Sequence, residues 1–184
     1  PHQPYTIRQV SYHSGNADDT TLHLRPKVLS SNTYIRQGGL YSFADLQSTY
    51  NHFGRLGAVR YTNIAFREVP DTTLLDCDIS ISTNKPSTIS FQPEGTNTAG
   101  DLGAAASLTY LNRNLFRGSE TFSVELRGAY EAISELEGYS NSNFLEYSLQ
   151  AKLSFPRFLA PFLSRSFRRR INATSEVSML YDLQ

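Results

Sequence analysis

The chain has 184 residues, enough for one large domain or two small ones, and its 17 basic and 17 acidic side chains cancel. That balance removes any global argument for nucleic acid or for an acidic partner. No run approaches the roughly eighteen apolar residues a membrane helix needs, although a spanning β-strand needs only about ten alternating ones.

The opening PHQPYTIRQV has neither the basic start nor the apolar stretch of a secretion signal and lacks an initiator Met, so it reads as a mature product or an excerpt. Segment 5–12, YTIRQVSY, sets Tyr5, Ile7 and Val10 toward one layer and is expected to be a strand. After the polar stretch 13–25, RPKVLSSNTY (25–34) predicts a short helix entered at Pro26. Ser42 and Asp45 then make a capping-box-like start, with Asp in the Glu/Gln slot. The second helix carries Phe43, Leu46, Tyr50, Phe53 and Leu56, whose steps of three or four make one apolar stripe, with Gly57 as the expected end cap. Two alternating segments, VRYTNIAFREV (59–69) and LLDCDISIST (74–83), are joined by turn residues and predict an antiparallel hairpin. Cys77 is the only cysteine and alternates with Leu75, Ile79 and Ile81, so a buried structural thiol is expected and an internal disulfide is impossible.

The composition changes near residue 84, which is taken as the boundary between an α+β unit (1–84) and a second region (85–184). There the helical period disappears, and five strand-length segments follow at 87–95, 102–112, 121–132, 144–155 and 171–183. Leu108 and Tyr110 share a face, as do Phe122, Val124, Leu126 and Tyr130 in the next segment and Tyr147, Leu149 and Leu153 in the one after. Full charges such as Glu125, Arg127, Lys152 and Glu176 stand mid-strand on the other face.

An apolar face of this kind can meet a protein core or lipid. The segments are long against a globular mode of about five or six residues. Aromatic side chains collect near strand ends, as interfacial girdles do (Tyr110, Phe122, Tyr130, Phe144, Phe155, Tyr181). The connector LFRGSE is short, with Gly118 available for a tight turn, while ISELEGYSNSN is long and polar, as in barrels with short inner turns and long outer loops. The connector 156–170 is long where a short turn is expected; its Phe, Leu and Arg residues suit the headgroup zone, and its basic end (164–170) fits either anionic headgroups or a solvated turn. These features favour lipid-facing strands of an antiparallel transmembrane β-barrel. Five strands cannot close one, since the smallest has about eight and an open edge in hydrocarbon costs several kcal/mol per unpaired group. The membrane reading therefore expects the chain to be the front part of a longer polypeptide. The alternative is a soluble two-domain protein whose β half, lipocalin-like, encloses a small apolar ligand.

Catalytic chemistry finds no support. The histidines at 2, 13, 23 and 52 lack ligand spacing, so no metal site is expected, and His52 is expected on the solvent side of its helix. No G-x-S-x-G, P-loop or CxxC occurs; GTNTAGDLG suits a hairpin turn, and NAT at 172–174 is a chance sequon. No cofactor is implied.

Strand–helix–helix–strand–strand followed directly by amphipathic strands resembles the last POTRA domain and first barrel strands of the BamA/TamA superfamily, the outer-membrane assembly factors also known as bacterial surface antigens. The likeness is carried by YIRQGGLYSFADLQSTYNHFGRLGAVRYTNIAF (34–66) and, more specifically, by EGTNTAGDLGAAASLTYLNRNLFRGSETFSVELRGAYEA (94–132). Residues 13–25 depart from the pattern. The resemblance implies a non-enzymatic machine in the outer membrane with its N-terminal domain in the periplasm. Its partners would be unfolded outer-membrane client proteins, outer-membrane lipids and accessory lipoproteins, with no nucleic acid. Client strands would add to the edge formed by Val59, Tyr61, Asn63 and Ala65. The first barrel strand, with Ile89, Phe91, Pro93 and Gly95, would be a lateral gate, loosened because proline cannot donate to a ladder.

Overall fold

The computed structural model describes residues 4–98, 101–132, 143–156 and 174–183. It divides into one unit of Pro1–Pro86 with Arg113–Glu120 and another of Ser87–Asn112 with Thr121–Gln184.

The first unit runs β1 (Thr6–Ser14), α1 (Pro26–Asn32), α2 (Phe43–Gly54), β2 (Val59–Glu68) and β3 (Leu74–Thr83), the element order that the periodicity predicts. β3 lies in the centre of the sheet, order β1-β3-β2, parallel to β1 and antiparallel to β2. The tight Pro70–Thr73 connection allows the antiparallel pair, whereas β1 reaches its parallel neighbour only through a long connection carrying both helices. Leu75, Cys77, Ile79 and Ile81 alternate onto the buried face of β3 and pack with Ile7 and Phe53 in one core. The intervening Asp76 and Asp78 face the other way, where Arg8 pairs with Asp76, and His13 and Arg67 both reach Asp78.

Two details depart from simple periodicity. Ile7 and Val10 share the core side although three residues apart, because the register shifts between Ile7 and Gln9 and absorbs one residue. The α2 stripe is rotated from the expected one: Leu46, Phe53 and Leu56 turn inward, but Phe43 is 68% exposed and Tyr50 lies at the margin. Thr49 takes the inward place, fully buried, because its hydroxyl donates to Asp45 O and accepts the Tyr34 N–H, leaving no orphan polar group. Ser42 caps the helix start through Asp45 N, as expected. The helix ends at Gly54 with Arg55 as its cap, before Gly57, once Arg55 N–H bonds back to His52 O. His52 is not simply solvent-facing: its Nδ1 meets Ser48 O and its Nε2 meets the Tyr34 hydroxyl at 3.0 Å.

The second unit is a meander of β4 (Ser87–Thr98), β5 (Asp101–Asn112), β6 (Thr121–Ala132), β7 (Asn143–Phe155) and β8 (Ser175–Leu183), each antiparallel to the next. β4 continues past the expected end at 95; β8 starts at Ser175, and residues 171–173 of its expected segment lie outside the described residues. Among the described residues the sheet is open, with β4 and β8 as its edges. The long polar connector after β6 and nearly all of the connector after β7, with its basic end, lie outside the described residues, as does most of the NAT sequon.

Burial raises the Cys77 thiol to about 11, with the charge of neighbouring Asp78 adding to the effect. Cys77 should therefore resist iodoacetamide at pH 8 in the folded protein and react fully in denaturant; brisk native labelling would contradict the packing of β3.

Candidate functional site

β2 is an outer strand of its sheet, and the parity of its backbone decides what it can offer. In an antiparallel ladder both backbone groups of a residue point to the same side, alternating along the strand. Val69 N–H donates to Leu74 O at 3.0 Å, so the odd-numbered residues of the regular part bond to β3. The N–H and C=O groups of Thr62, Ile64 and Phe66 consequently point away from the sheet. Ile64 agrees, since its N–H meets the Tyr50 hydroxyl at 3.0 Å. Arg60 is the extra residue of a bulge between Val59 and Tyr61, which closes the regular edge at that end.

The four residues named from sequence for this edge therefore occupy different situations. Val59 is buried and precedes the bulge. Tyr61, 57% exposed with the Arg60 guanidinium 5.7 Å from its ring centre, stands with the exposed Asn63 and Ala65 on the face away from the core. Their backbones bond to β3. Side-chain alternation identifies a face, but only the ladder reveals which amides are turned outward.

In the second sheet, register converts five separate alternations into one surface. Phe91, Leu108, Leu126, Leu149 and Tyr181 are successive cross-strand neighbours, each between 44% and 67% exposed. Ile89, Tyr110, Val124, Ala151 and Met179 form the adjoining row. Tyr130 and Tyr147 are exposed too, and Phe122 and Leu153 half-buried. The Tyr147 ring lies over Gly128, covering the backbone a side chain would otherwise shield. On the other face Arg127 pairs with Glu94 across β5 at 3.2 Å, and Lys152 pairs with Glu176 at 2.9 Å. The lipocalin-like alternative would need this face to line a closed cavity; among the described residues it is open.

Pro93 and Gly95 keep an unbroken register with Ala106 and Ala104. Arg113 N–H donates to Pro86 O, so even-numbered residues of β4 bond to β5 and odd-numbered ones face outward. The missing N–H of Pro93 thus lies on the free edge, where it leaves the β4–β5 ladder intact and removes one donor from any strand that would pair on the other side.

Sequence reasoning missed a third feature. The connection between β5 and β6 belongs to the first unit. Glu120, whose side chain is nearly fully buried, accepts from Arg25 at 2.8 Å and from the N–H groups of Gly118 and Phe116. Ser119 Oγ accepts the Ala58 N–H at 2.8 Å, Asn114 donates to His23 O, and Arg117 donates to Leu22 O. Residues 13–25, where the family likeness fails, thus supply part of this seat. The turn does not use Gly118 for its bend: the positive φ values fall on Arg117 (58°) and Ser119 (62°). Gly118 is needed for space, because a Cβ there would lie 2.1 Å from Glu120 Oε1 and 2.4 Å from the Arg25 guanidinium. The short spacing of Arg117, Gly118 and Glu120 was visible; their distant partner Arg25 was not.

No protein-family model matches the chain, and no curated protein does either. Among solved structures, CdiB from Acinetobacter baumannii matches 96% of this chain with a TM-score of 0.51 at 10% identity. BamA from Haemophilus ducreyi lacking POTRA domains 1–3 matches 83% of it at 12% identity, with a TM-score of 0.45, too low to carry weight. The chain spans 39% of the length of the CdiB chain and 32% of that BamA chain. The CdiB likeness shows a shared fold.

Gly118→Ala should displace Glu120 and lower the stability of the first unit by about 1–3 kcal/mol, with faster amide exchange across 113–120. An unchanged melting curve and exchange pattern would mean the turn has no structural hold on this unit.

Proposed function

We propose that the chain is the periplasmic POTRA-type domain and the leading barrel strands of an outer-membrane protein that inserts other barrel proteins into the membrane. The observation that carries this reading is the continuous exposed apolar face of β4–β8, backed by a charged face, in a chain whose fold is shared with CdiB. Acyl chains are the solvent suited to that apolar face, and water in a lumen suits the ion pairs behind it. Leu108, Tyr110, Phe122, Val124, Leu126, Tyr130, Tyr147, Leu149 and Leu153 are the lipid-facing set. Client strands add to the outward groups of Thr62, Ile64 and Phe66, with Tyr61, Asn63 and Ala65 flanking them on the open face. β4, whose outer edge lacks a donor at Pro93, serves as the lateral gate, and accessory lipoproteins complete the machine.

A second reading within the same fold is export of one partner protein through the pore, which the same two-faced sheet would serve. Deleting the protein separates the two: insertion predicts a broad fall in outer-membrane barrel proteins, whereas export predicts loss of a single secreted product.

Leu149→Arg and Val124→Arg should each block assembly into the membrane, at a cost of about 2–4 kcal/mol near the bilayer centre. Wild-type membrane levels of both variants would refute the lipid-facing assignment. Thr62→Pro removes an outward N–H while sparing the β3 ladder, so photo-crosslinking of clients to Asn63 should fall several-fold; undiminished crosslinking would show that this edge takes no strand.

A further inference from the structure

We infer that Tyr50 is a latch on the client-accepting edge of β2, so that strand addition competes with the hydrogen bond from Ile64 N–H to the Tyr50 hydroxyl. The inference rests on the proposed role of that edge and concerns its regulation.

The edge open to a partner is short, bounded by the Arg60 bulge at one end and by the turn after Glu68 at the other. Three residues, Thr62, Ile64 and Phe66, present outward backbone groups in its middle, and Ile64 is the central one. An added strand pairs with such residues through both N–H and C=O, so the Ile64 N–H is a donor it must engage to run along the whole edge. That donor is already held at 3.0 Å by a side chain arriving from α2. The helix positions the latch: the rotation that leaves Thr49 and Phe53 in the core brings Tyr50 to the margin of α2, beside β2. Tyr50 remains 37% exposed, so the hydroxyl can swing aside into water without opening the core.

Such an arrangement answers two demands on one strand. A bare edge invites pairing with any chain, including a second copy of the protein, and a side-chain cap in its middle suppresses that. The cap is one neutral hydrogen bond and is therefore readily displaced by a partner that supplies several. Binding would be reversible, as suits a domain that passes a client onward.

The test uses the intact protein, its Tyr50→Phe variant, which keeps the ring and removes only the hydroxyl, and the double variant Tyr50→Phe/Thr62→Pro. The probe is a fluorescent synthetic peptide with the β7 sequence NFLEYSLQAKLSF, used as a model barrel strand. Two readings are taken: exchange of the Ile64 amide without peptide, and peptide affinity by fluorescence anisotropy. Tyr50→Phe should speed Ile64 exchange and tighten peptide binding roughly twofold to tenfold, the range one net hydrogen bond spans, and the double variant should lose that binding. Equal exchange or equal affinity for wild type and Tyr50→Phe overturns the latch while leaving the edge as a client site. Absence of peptide binding by both proteins, or undiminished binding by the double variant, overturns the edge itself and the latch with it.

Discussion

The constraint on which the structure depends is the registered alternation of β4 to β8. Period two alone puts apolar residues on one side of each strand; unbroken registers put those sides together, so that Phe91, Leu108, Leu126, Leu149 and Tyr181 form one row. Removing a large apolar side chain from water is worth about 1.5–3 kcal/mol, and several rows of them remain uncovered by the described residues. A face of that size in water marks a surface made for an apolar partner. The paired charges behind it suit water, so the apolar face alone calls for a cover. Lipid on one side and water on the other satisfies both faces.

The first unit depends on a different economy of polar groups. Its core is small, and the groups that border it are nearly all given partners: Thr49 by Asp45 and Tyr34, Asp76 by Arg8, and Glu120 by Arg25 and two amides of its own turn. Buried groups left unpaired would each remove about 1–3 kcal/mol from a domain whose whole stability is only several times that. The β2 edge follows the same rule in a weaker form. Its central donor is satisfied by the Tyr50 hydroxyl, a single neutral hydrogen bond.

Much of this was legible in sequence because it depends on local period. The boundaries of β3 and β6 coincide with the alternating segments 74–83 and 121–132, and the Ser42 cap follows from residues three apart. What escaped depends on long-range geometry. Phe43 belongs to the helical stripe by spacing, yet it stays exposed while Thr49 turns inward, where its hydroxyl accepts the N–H of the distant Tyr34. Gly118 looks like a turn glycine, yet its role is to make room for Arg25, 93 positions away, to reach Glu120. Tyr61, Asn63 and Ala65 were found by their side chains, while the outward amides belong to Thr62, Ile64 and Phe66, a distinction set by the pairing of β2 with β3.

The chain contains no tryptophan, so one introduced indole reports its own surroundings. With Leu149→Trp and, separately, Gln150→Trp in the intact protein in phospholipid vesicles, brominated acyl chains should quench the indole at 149 strongly and leave the one at 150 nearly unaffected. Equal quenching at the two positions, or none at 149, would contradict a sheet solvated by lipid on its apolar face.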